Sequence, residues 1–132
     1  MTKILIVEDQ PDIRKLVRMT LEYEQYELHE ASEGETGLDM VTTVCPDIVL
    51  LDVMMPGSLD GLQVCERVKS NPKTRHTAVI LLTARGQQAD VQAGRDVGAD
   101  AYLVKPFSPL ELIDKVEELA ARRRPGAGEF LQ

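Results

Sequence analysis

The chain has no tryptophan, two phenylalanines and three tyrosines among its 132 residues. So few rings cannot furnish an aromatic interior of the kind many β-sandwiches use. With 43% of residues apolar, the core must be built from Val, Leu, Ile, Ala and Met, which favours helices packed on an aliphatic sheet. Cysteine is scarce too. Cys45 and Cys65 are the only two, too few for a disulfide framework, and both fall in apolar helical patterns, where they read as plain buried thiols. No apolar run approaches the roughly 20 residues of a membrane span. The opening run Ile4–Val7 is too short for a signal peptide and ends in two acids. Basic residues are outnumbered, 15 against 22 acidic ones, for a net charge of −7. Such a chain repels phosphate backbones, so direct contact with nucleic acid is not expected of it, while divalent cations suit it. The expectation is a soluble cytoplasmic protein with no membrane association.

What is present is an alternation. Apolar runs at 3–9, 26–32, 47–52, 77–84 and 100–106 read as strands. Between and after them, 10–24, 34–45, 60–70, 87–99 and 108–124 read as helices. The first helix carries Ile13, Leu16, Val17, Met19, Thr20 and Leu21 near helical spacing, with Pro11 in its first turn. The second puts Leu38, Val41 and Val44 on one face and stops at Pro46. The fourth is weakened by Gly94, which costs about 1 kcal/mol against alanine. Ser108 is the expected N-cap of the last helix and Pro109 its first residue, with Arg122 to Arg124 in the last turn. Near-continuous apolar strands belong in a parallel sheet covered on both faces, and right-handed crossovers make it doubly wound. The fold class is α/β: a flavodoxin-like three-layer sandwich of five parallel strands, in the order 2-1-3-4-5, with five helices. One domain spans 1–124, followed by a flexible tail at 125–132. His29 and His76 read as surface residues without a role.

In an open parallel sheet the active crevice lies at the carboxyl ends of the strands. There the sequence places Glu8-Asp9, Asp52, Thr83-Ala84 and Lys105-Pro106. Asp52 ends the apolar stretch "DIVLLD", where a carboxylate is costly unless something binds it. Clustered acids suit Mg²⁺, which takes carboxylates, waters and phosphate. Lys105 offers a point charge for a phosphate oxygen and Thr83 a hydroxyl donor. Together they meet the needs of phosphoryl transfer: a carboxylate nucleophile, charge neutralisation and donors for the transferred oxygens. Taken singly, each has a plainer reading. Asp9 could cap the first helix, Lys105 could be a solvated strand end, Thr83 a strand former and Tyr102 a half-buried strand aromatic.

The motifs "ILIVEDQPDIR", "PDIVLLDVMMPG", "DGLQVCERVK", "VILLTA" and "GADAYLVKPF", in order from residue 3 to about 121, resemble the receiver domain of two-component response regulators, and the single-domain chemotaxis type in particular. The resemblance implies that Asp52 accepts a phosphoryl group from a phosphohistidine and becomes an acyl phosphate. It implies that Glu8, Asp9, Asp52 and the Met54 carbonyl hold Mg²⁺. Thr83 matches the switch hydroxyl, Tyr102 the aromatic that swings inward, and Lys105 the amine that pairs with the phosphoryl group. Ala84 leaves that group room, and Pro106 follows a cis peptide with Lys105. The implied partners are a sensor histidine kinase or phosphotransfer protein, and a downstream effector on the face formed by 87–124. A monomer or a phosphorylation-dependent dimer fits. Such a protein is a phospho-acceptor signalling protein rather than an enzyme, although it assists its own phosphorylation and dephosphorylation. Met54 and Arg85 fall at the two positions that tune phosphoryl lifetime. The loop in "MMPGSLDG" departs from the pattern by one extra residue.

Other readings fit less well. A flavodoxin-like cofactor binder needs a Ser/Thr/Gly-rich phosphate loop where this chain has "EDQPD". An aspartate-nucleophile phosphatase of the haloacid dehalogenase kind needs a second aspartate where Met54 stands. A phosphorylation-independent docking module, or the N-terminal receiver of a longer regulator with a DNA-binding or enzymatic output domain, are the remaining alternatives.

Overall fold

The structure is a computed structural model, and it describes residues 1–84 and 88–123. Arg85 and the expected tail at 125–132 lie outside the described residues. Five strands and five helices alternate: β1 (Thr2–Val7), α1 (Pro11–Glu22), β2 (Tyr26–Ala31), α2 (Gly34–Val44), β3 (Ile48–Asp52), α3 (Gly61–Ser70), β4 (Ala78–Ala84), α4 (Gln88–Asp96), β5 (Ala101–Lys105) and α5 (Pro109–Arg123). All strands pair in parallel in the order β2-β1-β3-β4-β5, as the sequence implies.

The two-residue period of the strands sorts the core into two layers. Ile4, Ile6, Ile48, Leu50, Ile80, Leu82 and Leu103 face Val17 and Leu21 of α1 and Leu112, Val116 and Leu119 of α5. Leu5, Val7, Val49, Leu51, Val79 and Leu81 face Val41 of α2 and Val64, Cys65 and Val68 of α3. Helices on both sides leave the three central strands no solvated face, which is why they carry the apolar runs at 4–7, 48–51 and 78–82.

Helix ends follow local chemistry. Asp60 and Gln63 form a reciprocal capping box at α3 (2.9 Å each way). Ser108 accepts from the Glu111 N–H at 3.1 Å, so α5 starts as expected, with Pro109 first. Gly94 has a packing reason. A Cβ there would lie 2.5 Å from Leu81 Cδ1 and 2.8 Å from Tyr102 Cε1, so α4 gives up helix propensity for close approach to the sheet.

The structure corrects the reading at Cys45, at Leu16 and Met19 and at His29, and it removes the plainer alternative for Asp9. Cys45 is not buried: it is exposed and ends α2 in the left-handed region at φ 56°, where only the thiol of Cys65 is enclosed. Leu16 and Met19 are exposed, because α1 turns only Val17 and Leu21 fully inward. His29 is half-buried, with Nε2 2.7 Å from Glu27 Oε2. Asp9 does not cap α1, since Gln10 is the N-cap residue and no side chain supplies a cap bond.

Candidate functional site

Strand alternation builds the site. Glu8, Asp52 and Lys105 stand two residues beyond Ile6, Leu50 and Leu103, so they continue the α1/α5 side of the sheet past its carboxyl edge. Register supplies the rest. Val7 pairs with Leu51, Asp52 with Leu82, and Ala84 with Lys105. Glu8 therefore emerges beside Asp52, and the long Lys105 side chain crosses the end of β4 to reach both. Its Nζ lies 2.8 Å from Glu8 Oε1 and 3.2 Å from Asp52 Oδ1. Thr83 stands two residues beyond Leu81, on the other side of the sheet, which is also the side of Tyr102.

The cluster is enclosed. Glu8 is fully buried and Asp52 is 4% exposed. Carboxylate oxygens of Glu8, Asp9 and Asp52 gather within 4.8 Å of one another. Burial, and then the neighbouring Glu8 carboxylate, push the Asp52 carboxyl up to about 7, with Lys105 pulling the other way. The Lys105 amine sits above its ordinary value. Burial works against its charge, but the bond to Glu8 and the charges of Asp52 and Glu8 outweigh it. Both donors to Asp52, Lys105 Nζ and the Met54 N–H (3.3 Å), meet the same oxygen, Oδ1. Oδ2 has no such donor among the described residues.

Three buried side-chain polar atoms lack a hydrogen-bond partner among the described residues: Asp9 Oδ1, Thr83 Oγ1 and Tyr102 Oη. Buried polar groups are nearly always satisfied, and an orphan costs about 1–3 kcal/mol. All three belong to residues singled out from sequence, and an acidic trio with an orphaned oxygen fits a hard cation such as Mg²⁺. Tyr102 packs under Gly94, its hydroxyl enclosed, with the Arg95 guanidinium 5.9 Å from the ring centroid. Ala84 is exposed beside Lys105, and the Lys105–Pro106 bond is cis.

Sequence reasoning passed over the residues that hold this edge in place. Gly61 opens α3 against the site: a Cβ there would fall on the Asp52 carbonyl oxygen and lie 2.7 Å from Val53 Cα, while its N–H bonds Val53 O at 3.0 Å. The Asp-Gly pair in "DGLQVC" was the available signal. The loop of "MMPGSLDG" is anchored by buried Met55 and Leu59, and the Leu59 backbone packs so closely on Gly34 that no Cβ fits there. Met54, by contrast, is exposed. Arg14 donates to the Glu8 carbonyl at 2.8 Å, a contact no periodicity announces.

Residues 4–117 match the response regulator receiver domain. The transcriptional regulatory protein ResD of Bacillus subtilis (strain 168) is 42% identical over 121 residues, covering 92% of this chain and 49% of its own. The phosphate regulon transcriptional regulatory protein PhoB of Escherichia coli (strain K12) is 38% identical over 127 residues, covering 96% and 55%. The chain thus spans about half the length of the curated relatives it matches. Among solved structures, the chemotaxis response regulator CheY4 of Vibrio cholerae aligns with a TM-score of 0.83 at 31% identity, over 90% of this chain and 98% of that one. The receiver domain of a signal transduction histidine kinase from Syntrophus aciditrophicus aligns at 0.87 and 30%, over 95% and 94%. No helix among the described residues is long and apolar enough to cross a membrane. With fold, motif order and relatives in agreement, the chain belongs to the response regulator receiver domain family of two-component signalling.

Proposed function

We propose that this receiver takes a phosphoryl group from the phosphohistidine of a histidine kinase or phosphotransfer protein onto Asp52, with Glu8, Asp9, Asp52 and the Met54 carbonyl holding Mg²⁺. The observation that carries the reading is the buried Asp52 carboxylate, gathered with Glu8 and Asp9 and bonded by the half-buried Lys105 amine, beside which Asp9 Oδ1 has no hydrogen-bond partner among the described residues; Thr83 Oγ1 and Tyr102 Oη, on the other side of the sheet, lack one there too. When bound, Mg²⁺ supplies neutralisation of the crowded acids and of the phosphoryl oxygens. The chain's own groups do the remainder. With Oδ1 held by Lys105 and Met54, Asp52 Oδ2 attacks phosphorus. The O–P bond forms as the P–N bond breaks, and the imidazole nitrogen keeps the electron pair. Lys105 then pairs with a phosphoryl oxygen, and the open space beside Ala84 receives the group.

The same orphan hydroxyls support a switch. Thr83 Oγ1 has no hydrogen-bond partner among the described residues and gains one when a phosphoryl oxygen is at Asp52. Such a differential contact is what biases a two-state element. Thr83 moving toward Asp52 vacates space on the Tyr102 side of the sheet, and α4, β5 and α5 form the surface that an effector, or a second copy in a phosphorylation-dependent dimer, would read. Because the chain covers about half of ResD and PhoB, a place as the receiver of a longer transcriptional regulator is the second reading.

Phosphoramidate with MgCl₂ should label the wild-type protein and leave Asp52→Asn unlabelled, and EDTA should abolish labelling. Equal labelling of the variant removes Asp52 as the acceptor.

A further inference from the structure

Arg14 lies one turn into α1, away from the acidic trio, yet its guanidinium spans two elements. Nη1 donates to the Glu8 carbonyl oxygen at 2.8 Å, and Nε pairs with Glu30 Oε1 on β2 at 3.2 Å. The other Glu30 oxygen takes Arg18 Nη1 at 2.6 Å. Glu30 thus anchors two arginines from successive turns of α1, and one of them reaches into the loop between β1 and α1.

The carbonyl that Arg14 grips belongs to the peptide unit joining Glu8 to Asp9. That unit is planar, so fixing its oxygen fixes the direction in which Asp9 departs. The other side of Glu8 is tied as well, since its N–H donates to Ala31 O on β2 at 3.1 Å. β2 therefore sets both backbone torsions of Glu8, directly through Ala31 and indirectly through Glu30 and Arg14. The side chains respond to that backbone. Glu8 Oε1 meets Lys105, Oε2 takes the Gln10 N–H at 3.2 Å, and Asp9 keeps one oxygen buried and unpartnered beside them.

Arg14 and Glu30 are 23% and 31% exposed, so the pair is partly open to solvent and its contribution to folding is modest. The fork geometry, with one edge on a carboxylate and another tip on a carbonyl, is a capacity of arginine that a lysine point charge lacks.

We propose that Arg14 is the positioning residue of the acidic pair: braced by Glu30, it sets the Glu8–Asp9 peptide plane so that both carboxylates stay gathered with Asp52. The proposal rests on the cation-site reading above, and outer groups that orient ligands change metal affinity about 10- to 100-fold.

The test uses the whole chain, with wild type, Arg14→Met, Arg14→Lys, Glu30→Gln and an Asp9→Ala control. MgCl₂ is titrated by calorimetry, and amide shifts of the metal-free proteins are recorded by NMR. The expected result is an Mg²⁺ Kd about tenfold higher for Arg14→Met, a smaller rise for Glu30→Gln, and incomplete rescue by Arg14→Lys. The metal-free spectra should show Asp9 and Gln10 amides displaced and the central strands unmoved. An unchanged Kd with undisplaced Asp9 amides, whatever happens to thermal stability, overturns the positioning role. Wild type that binds no Mg²⁺ overturns the cation-site reading, and the metal-free amide shifts then decide the role of Arg14 alone.

Discussion

Replacing Asp52 by asparagine removes a charge that the fold opposes. In the folded chain this carboxyl is pushed up to about 7 from an ordinary 3.8, by burial first and then by Glu8, against the pull of Lys105. A carboxyl with a folded pKa above its unfolded one holds its proton more tightly in the folded state. Its contribution is therefore fully present below about pH 4 and is lost as pH rises through about 7. The gap between 3.8 and about 7 is about 3 pKa units, or about 4 kcal/mol at 1.36 kcal/mol each. Asparagine keeps an oxygen for the Met54 N–H and for Lys105, and Lys105 keeps Glu8 at 2.8 Å, so the exchange leaves no buried ammonium alone. In EDTA, Asp52→Asn should match wild type near pH 4 and exceed it by up to about 4 kcal/mol at pH 8. For a chain of this size that is on the order of 10 °C in Tm. Thermal melts followed by circular dichroism at pH 4, 6 and 8 measure it. A difference between the two proteins that does not change with pH would refute the reasoning. MgCl₂ should narrow the gap at pH 8 by stabilising wild type selectively.

Gly61→Ala forces a Cβ onto the backbone of Asp52 and Val53, so α3 must retreat; a loss of about 3 kcal/mol is expected from urea unfolding, and an unchanged midpoint would show that the contact can relax. Tyr102→Phe deletes a buried hydroxyl with no hydrogen-bond partner among the described residues and should leave stability equal or raise it by about 1 kcal/mol; a clear loss would mean the hydroxyl is satisfied. Asp60→Ala removes the side-chain half of the α3 capping box, the bond that Asp60 Oδ1 accepts from the Gln63 N–H, and should cost about 1 kcal/mol by the same assay, an effect that Asp60→Ser should largely restore.

The parallel sheet was legible because its central strands carry the near-continuous apolar runs at 4–7, 48–51 and 78–82, as a doubly covered sheet requires. The convergence of Glu8, Asp52, Thr83 and Lys105 was legible for a related reason: each ends a strand, and parallel strands share one carboxyl edge. What escaped depends on direction and distance rather than order. Leu16 and Met19 fit a helical stripe in sequence, but on α1 only Val17 and Leu21 turn fully inward. Cys45 looked helical because nothing in its surroundings announces a left-handed residue before Pro46. The grip of Arg14 on Glu8 and the seating of Leu59 on Gly34 join segments whose proximity exists only after folding. Helix propensity at Gly94 suggested weakness alone, whereas the Tyr102 ring beneath it supplies the reason.

The central claim, that Asp52 is the atom's-width target of phosphoryl transfer, is tested most directly by trapping the product. Protein treated with phosphoramidate and MgCl₂ is reduced with borohydride, which converts an aspartyl phosphate to homoserine, and its peptides are sequenced by mass spectrometry. Homoserine should stand at position 52 and nowhere else, and only when Mg²⁺ was present. An intact aspartate at 52 in labelled protein, or homoserine at Glu8's neighbour Asp9 instead, would contradict the account.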